Sequence, residues 1–177
     1  KKPEDAVRKA FPGAARIEPR DVLLTDEMVR SIERLARVRL RDRMVTFYTA
    51  IRGDEVLGYA VVHSHVVRTK RETFLLVLEP DGRIREIEVI AFFEPTEYMP
   101  SRRWLDQFKG KGAGAPLSIG DDVAAISGAT LSARGIAEES RWLLEAFRAA
   151  AARGELGVRS GRARVGSDDL PAEDARR

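Results

Sequence analysis

The chain has 177 residues, 44 % of them hydrophobic and 33 % charged, a balance that suits one folded domain and excludes a wholly disordered chain. Lysine and arginine number 31 against 28 aspartates and glutamates, so the formal excess is only +3, too mild to mark a nucleic-acid binder. With no cysteine, these residues offer no disulfide, thiolate zinc site, cysteine-ligated iron–sulfur cluster, c-type haem attachment or cysteine lipid anchor.

No apolar run approaches the roughly 18 residues of a membrane span. The opening KKPEDAVRKAFPGA has no apolar h-region of the kind that marks a signal peptide. It places Ala6, Val7, Ala10 and Phe11 at helical spacing, which predicts a short helix over 4–11 stopped by Pro12-Gly13. Thr25 is positioned to cap a second helix, whose apolar face carries Met28, Val29, Ile32, Leu35 and Ala36. Residues 1–37 therefore read as an N-terminal helical segment.

From Val38 the period changes to two: Val38 and Leu40 alternate with arginines, then Val45, Phe47, Thr49 and Ile51 alternate with more polar neighbours up to the turn RGDE. VLGYAVVHSHVV, RETFLLVLE and RIREIEVIAFF continue as β-rich runs. Asp81-Gly82 between the last two is a hairpin signal, since both residues accept positive φ. Three to five antiparallel strands are expected.

After Phe93 prolines and glycines punctuate a long connection with one helical turn at Trp104–Phe108. Connections of this length in compact domains are often functional. Helix returns from Leu131, with Ile136, Leu143, Leu144 and Phe147 on one stripe, and ends at Gly154. The fold class expected is α+β, an antiparallel sheet flanked by helices in a domain over 38–153. A tail over 154–177 has no apolar period and reads as mobile or partner-bound.

Three constellations carry possible chemistry. His63 and His65 lie two apart on a strand, so both rings project to one face and could share a metal, although strand histidines are more often hydrogen-bonded residues. Arginines 34, 37, 39, 41 and 43, and the run Arg68, Lys70, Arg71, fit a solvated face better than a nucleic-acid surface, because acids are interleaved and aromatic platforms are missing. In Ser127-Gly128-Ala129-Thr130, the smallest side chains stand directly before a hydroxyl at a helix start. Thr130 is open to three readings: a nucleophile needing a nearby base, with His63 one candidate; a simple cap, supplied by Ser127 or Thr130; or an attachment point. A phosphate on Thr130 would meet the free N–H groups and positive dipole end of the helix, which favour it by roughly 0.3–1 kcal/mol at exposed sites.

SGATLS followed by a helix resembles the FMN-binding domain of the small flavoprotein subunits in the sodium-pumping NADH:quinone oxidoreductase and the Rnf complex. DAVRKAFPGA is similar to that family's opening helix, LGYAVV and LEPDGRIREIEVI to its central hairpins, and WLDQFKGK to the segment before the motif, so the resemblance spans roughly 4–150. It implies FMN held on Thr130 by a phosphoester bond that a dedicated flavin transferase makes. Ser127, Gly128, Ala129, Leu131 and Ser132 would lie at the phosphate end. Glu94, Trp104, Gln107, Phe108 and Lys109 would lie on the isoalloxazine side, with an i,i+4 core pair the alternative for Trp104 and Phe108. The resemblance further implies an electron carrier or subunit of a larger oxidoreductase rather than a stand-alone enzyme. It would sit beside a membrane redox complex, in a periplasmic or extracytoplasmic setting.

Two positions depart from the family pattern. The family usually has Asp three residues before the motif's serine, where this chain has Ala124. FFEPTEYMPSRRW keeps Glu94 but lacks the H-x-E-T-P-G-L-G stretch of the ion-pumping subunits. The first departure raises a competing reading, a flavin-free structural subunit of a larger membrane assembly. Noncovalent FMN in the same place is a third.

Overall fold

The computed structural model describes residues 2–157. The elements run α1 (Pro3–Ala10), β1 (Arg16–Leu23), α2 (Asp26–Ala36), β2 (Met44–Arg52), β3 (Glu55–Val67), β4 (Lys70–Leu78), β5 (Ile84–Phe92), a short α3 (Arg102–Leu105) and the long α4 (Thr130–Ala152). The five strands form one antiparallel sheet in the order β1-β2-β3-β4-β5, each beside its sequence neighbour. This is the α+β fold expected.

Period-two patterning decides the faces of the sheet. In β3 and β4 the cross-strand pairs Tyr59↔Leu78, Val61↔Leu76, His63↔Phe74 and His65↔Glu72 all point to one side. There α2 and α4 cover Phe47, Val61, Phe74, Leu76 and Leu78 in the main core. Phe147 of α4 meets Tyr59 edge-on at 4.9 Å and Phe47 at 5.8 Å. On the opposite side α1 lays Val7 and Phe11 over Ala50, Ala60, Leu75 and Val77, a smaller second core.

The local signals act as their chemistry requires. Thr25 Oγ1 accepts from the Met28 N–H at 3.2 Å and starts α2. The β4–β5 turn has Gly82 at φ 87°, and Phe147 packs against it. α4 ends before Gly154, at φ 71°.

Two stretches differ from the sequence expectation. Residues 38–43 are not a strand; they run back beside α2, with the Leu40 N–H donating to Glu33 at 2.9 Å and Arg43 paired to Asp26 at 2.8 Å. Their alternation arises because Val38 and Leu40 pack onto the core while the arginines face water. The chain between the first two helices, in turn, forms β1, an edge strand paired along its whole length with β2. Leu156, beyond α4, is buried and its carbonyl accepts from Thr49 Oγ1 at 3.3 Å. The remainder of the tail lies outside the described residues. No helix among the described residues is long and apolar enough to cross a membrane.

Candidate functional site

The site grows from the start of α4. Ala129 occupies the N-cap position and can supply no side-chain cap. The Ala133 N–H bonds the Ala129 carbonyl at 2.9 Å, but those of Thr130, Leu131 and Ser132 meet no protein acceptor among the described residues. Donors left free this way carry the positive end of the helix dipole. Neither Ser127 nor Thr130 caps this helix, so the simple capping reading fails: Thr130 Oγ1 instead donates back to the Ile126 carbonyl at 3.3 Å, and its side chain is exposed. Gly128, at φ 82°, makes the turn that delivers the chain into the helix.

Thr130 stands at the edge of a cleft of about 160 Å³. One wall is the first turn of α4 with Gly128 and Ala129. The other is Val67 and Arg68 at the β3–β4 turn, closed by Glu94 and Tyr98 from the long connection. Arg68 has φ 56° and its guanidinium lies over the Tyr98 ring, 5.6 Å from the centroid. Pockets that enclose a drug-sized ligand hold roughly 300–1,000 Å³. At about 160 Å³ the cleft has room for a group the size of a phosphate with a short chain, and a flat ring system attached at Thr130 would lie outside it.

The sequence-derived site residues separate into groups. Thr130, Gly128, Ala129, Leu131, Ser132 and Glu94 line the cleft. Ser127 is exposed just ahead of it. Trp104 and Phe108 are buried core residues, packed edge to face at 5.2 Å, which is the core-pair alternative for them. Trp104 Nε1–H donates to the Ala124 carbonyl at 2.7 Å, while Gln107 Oε1 accepts from the Ala124 N–H at 2.9 Å. Both thereby fix the backbone leading to the cleft rather than lining it. Lys109 is exposed and pairs with Asp106 at 3.4 Å. Arg68 and Tyr98 were missed: Arg68 reads as one charge in a solvated run, and nothing near Tyr98 signals a remote partner.

Beneath the cleft lies a buried polar network. Glu72, fully buried, takes Ser132 Oγ–H at 2.5 Å on one carboxylate oxygen and contacts His65 Nε2 at 2.7 Å with the other. Two residues back along β3, on the same face, His63 Nε2 meets Glu139 at 2.5 Å, and Trp142 Nε1–H donates to the same oxygen at 2.7 Å. Burial pushes the Glu139 carboxyl up, but the bonds from His63 and Trp142 and the nearby imidazoles outweigh it, leaving the group below its usual range. Both histidines are thus engaged with carboxylates, and among the described residues no three His, Asp or Glu side chains converge to hold a metal. The nucleophile reading loses its base as well. His63 pairs nine residues along α4 from Thr130, about 13 Å at the helical rise.

Ala124, which stands where the resembled pattern has Asp, is solvent-exposed, while its backbone is held by Trp104 and Gln107. The neighbouring Asp122 is committed elsewhere: its carboxylate accepts from the Leu117 and Ser118 N–H groups at 3.1 and 2.8 Å and contacts Lys111 at 3.4 Å. Burial raises the Asp122 carboxyl, yet these donors bring it below the usual range overall.

No family model and no curated protein matches the chain. Among solved structures it is similar to NqrC of Shewanella oneidensis, at 19 % identity and a TM-score of 0.50, over 80 % of this chain and 84 % of that one. The likeness is one of fold. An NqrC-like antiparallel sheet with its helices holds the cleft described above.

Proposed function

We propose that this chain is an electron-transfer flavoprotein that carries FMN phosphoester-linked to Thr130. The observation that carries the reading is the exposed Thr130 hydroxyl at an uncapped helix start, on the edge of a cleft in an NqrC-like fold. The SGATLS resemblance supplies the identity of the group, and the donor set fits it. Three free N–H groups and the helix dipole favour a phosphate, Arg68 adds a cation on the facing wall, and the open cleft accommodates a ring system outside.

Bound FMN would supply reversible redox chemistry; the chain's own residues bind and orient it. Attachment exchanges the Thr130 O–H bond for an O–P bond, the proton leaving with the group displaced from phosphorus. The covalent bond then does the retaining that an enclosing pocket does for a free cofactor, which accounts for so shallow a cleft. A flavin transferase would make the bond, and a membrane redox complex, on the periplasmic or extracytoplasmic side, would exchange electrons with the product.

Intact-mass measurement of protein purified from its native host tests the reading. The expected mass exceeds the chain by one FMN less one water, the excess maps to the Thr130 peptide, and it vanishes in Thr130→Ala. Flavin fluorescence that stays with the chain on a denaturing gel separates the ester from noncovalent FMN. A colourless native protein of unmodified mass sinks the proposal and favours the structural-subunit reading that Ala124 raises.

A further inference from the structure

Four large apolar side chains are exposed on one face of the sheet, the face turned away from α4. The pairing places them there: Leu23 stands opposite Met44 and Val66 opposite Arg71, in the register that points Val22, Val45 and Phe74 into the main core on the other side. Phe92 pairs with Glu72 on the α4 side, so Phe93, the next residue, comes level with Arg71 on the open one. α1 covers this open face only around Ala50, Ala60, Leu75 and Val77. Val66 and Phe93 are left 63 % and 67 % exposed.

The β3–β4 hairpin carries the face outward. β3 has its last β2 partner at Ala60, while Val67 lies seven residues further, about 23 Å at the rise of a strand, held by β4. At the end of that arm Arg68, Lys70 and Arg71 are exposed and pair with no carboxylate among the described residues. The open-face positions of the arm, Val62, Ser64 and Val66 against Leu75, Thr73 and Arg71, include no acid. Glu94 and Glu97 belong to the cleft side: Glu94 lines the cleft and the Glu97 carbonyl lies against Gly128.

Apolar tips set among unpaired cations on long stems match the boundary between water and an acyl layer. The tips enter the layer, and the cations reach lipid phosphates while their methylenes stay in apolar surroundings. A second copy of the chain fits this face poorly. A two-fold contact centred on it would set Lys70 and Arg71 against their own images, with no carboxylate on the arm to receive them. We propose that the open face at the end of the β3–β4 hairpin rests on a bilayer containing anionic phospholipid, with Val66 and Phe93 at the headgroup boundary and Lys70 and Arg71 on lipid phosphates. So few groups make a shallow, reversible contact rather than an anchor. Its effect is orientation: Val67 and Arg68, next along the chain, form a wall of the cleft, so the resting arm holds the cleft beside the bilayer surface. This holds whether or not Thr130 carries a flavin.

Flotation of the purified chain with lipid vesicles tests the proposal. Binding is expected to phosphatidylglycerol vesicles, weakening as salt rises, and none to phosphatidylcholine vesicles. Lys70→Gln and Arg71→Gln are each expected to lower the partition coefficient about fivefold, the effect of one basic side chain near an anionic surface. Val66→Ser together with Phe93→Ser lowers it about tenfold at an unchanged melting temperature, since both side chains are already in water. Arg30→Gln together with Arg34→Gln, exposed on α2 in the layer across the sheet, removes two charges and leaves binding unchanged. In Phe93→Trp the added indole emission moves to the blue on binding and is quenched by brominated acyl chains, against a constant background from the buried Trp104 and Trp142. Failure to float with phosphatidylglycerol overturns the proposal. An equal loss in the α2 pair overturns the assigned surface, leaving only net charge. Dimers in sedimentation that Val66→Ser with Phe93→Ser dissociates overturn it in favour of a second copy.

Discussion

Gly135 lies directly against the ring of His65: a Cβ added to the glycine would come within 2.5 Å of Cε1 and 2.9 Å of Nδ1. Glycine inside a helix ordinarily costs about 1 kcal/mol relative to alanine, so Gly135→Ala would stabilise an unobstructed α4. Here the sign reverses. The ring is pinned by Glu72 on one side and Phe74 at 5.7 Å on another, so it cannot retreat. Chemical denaturation is expected to show Gly135→Ala destabilised by about 1–3 kcal/mol, the range of an overpacked core. A gain in stability would show that the imidazole is free to move.

Acid should weaken the clamp between α4 and β3. The Glu139 carboxyl lies below its ordinary value of 4.5 in the folded chain, through the hydrogen bonds of His63 and Trp142 working against burial. A carboxyl depressed by folding stabilises fully above its unfolded value, and that contribution disappears as pH falls through the folded value. Stability should therefore drop with acidification below about pH 4.5, where the unfolded chain binds the proton first. Glu139→Gln is expected to flatten that part of the profile, measured as unfolding free energy against pH. Parallel profiles for the two proteins would rule Glu139 out as a contributor.

Trp104→Phe retains an aromatic ring against Phe108 but deletes the Nε1–H donor to the Ala124 carbonyl. The orphaned carbonyl can turn to water, so a loss of about 1 kcal/mol is expected rather than the several of a core truncation. Amide hydrogen exchange should rise between residues 123 and 129 and stay unchanged in the sheet. Uniform acceleration throughout the chain would mean that Trp104 acts on the core as a whole.

Ala124→Asp places the carboxylate of the resembled flavoprotein pattern at an exposed position whose backbone, not its side chain, makes the contacts. Stability should stay within about 0.5 kcal/mol of the wild type. If the transferase reads that carboxylate, the loaded fraction of Thr130 by intact mass rises in the variant. A fall in loading would show that the site favours the smaller residue.

How far the sequence foretells this molecule depends on where each signal resides. β3, β4 and β5 are legible as runs rich in β-branched and other apolar residues, with Asp81-Gly82 marking a turn, and α4 is legible from its apolar stripe. β1 is not: RIEPRDVL carries charge on both faces and a proline, and only Val22 is buried, as befits an edge strand. Thr130 is legible through SGAT, whereas Arg68 and Tyr98 join it only by the fold. Glu72 has one sequence signal, its even-numbered register with Phe74, Leu76 and Leu78, which puts it on the helix-covered side of β4. The alternation in β3 likewise turns His63 and His65 inward, toward carboxylates that no local spacing reveals.

The cleft draws its walls from three stretches far apart along the chain: 67–68, 94–98 and 128–132. The sheet can assemble by zipping successive hairpins, each closing a short loop, but the last of these stretches comes into place only when α4 lies down on the finished strands. A nascent or unravelled polypeptide would offer a modifying enzyme the bare motif without its opposing wall. Under the attachment proposed for Thr130, a transferase that reads both walls of the cleft would act only on the folded chain, and the loaded flavin would mark a properly built molecule.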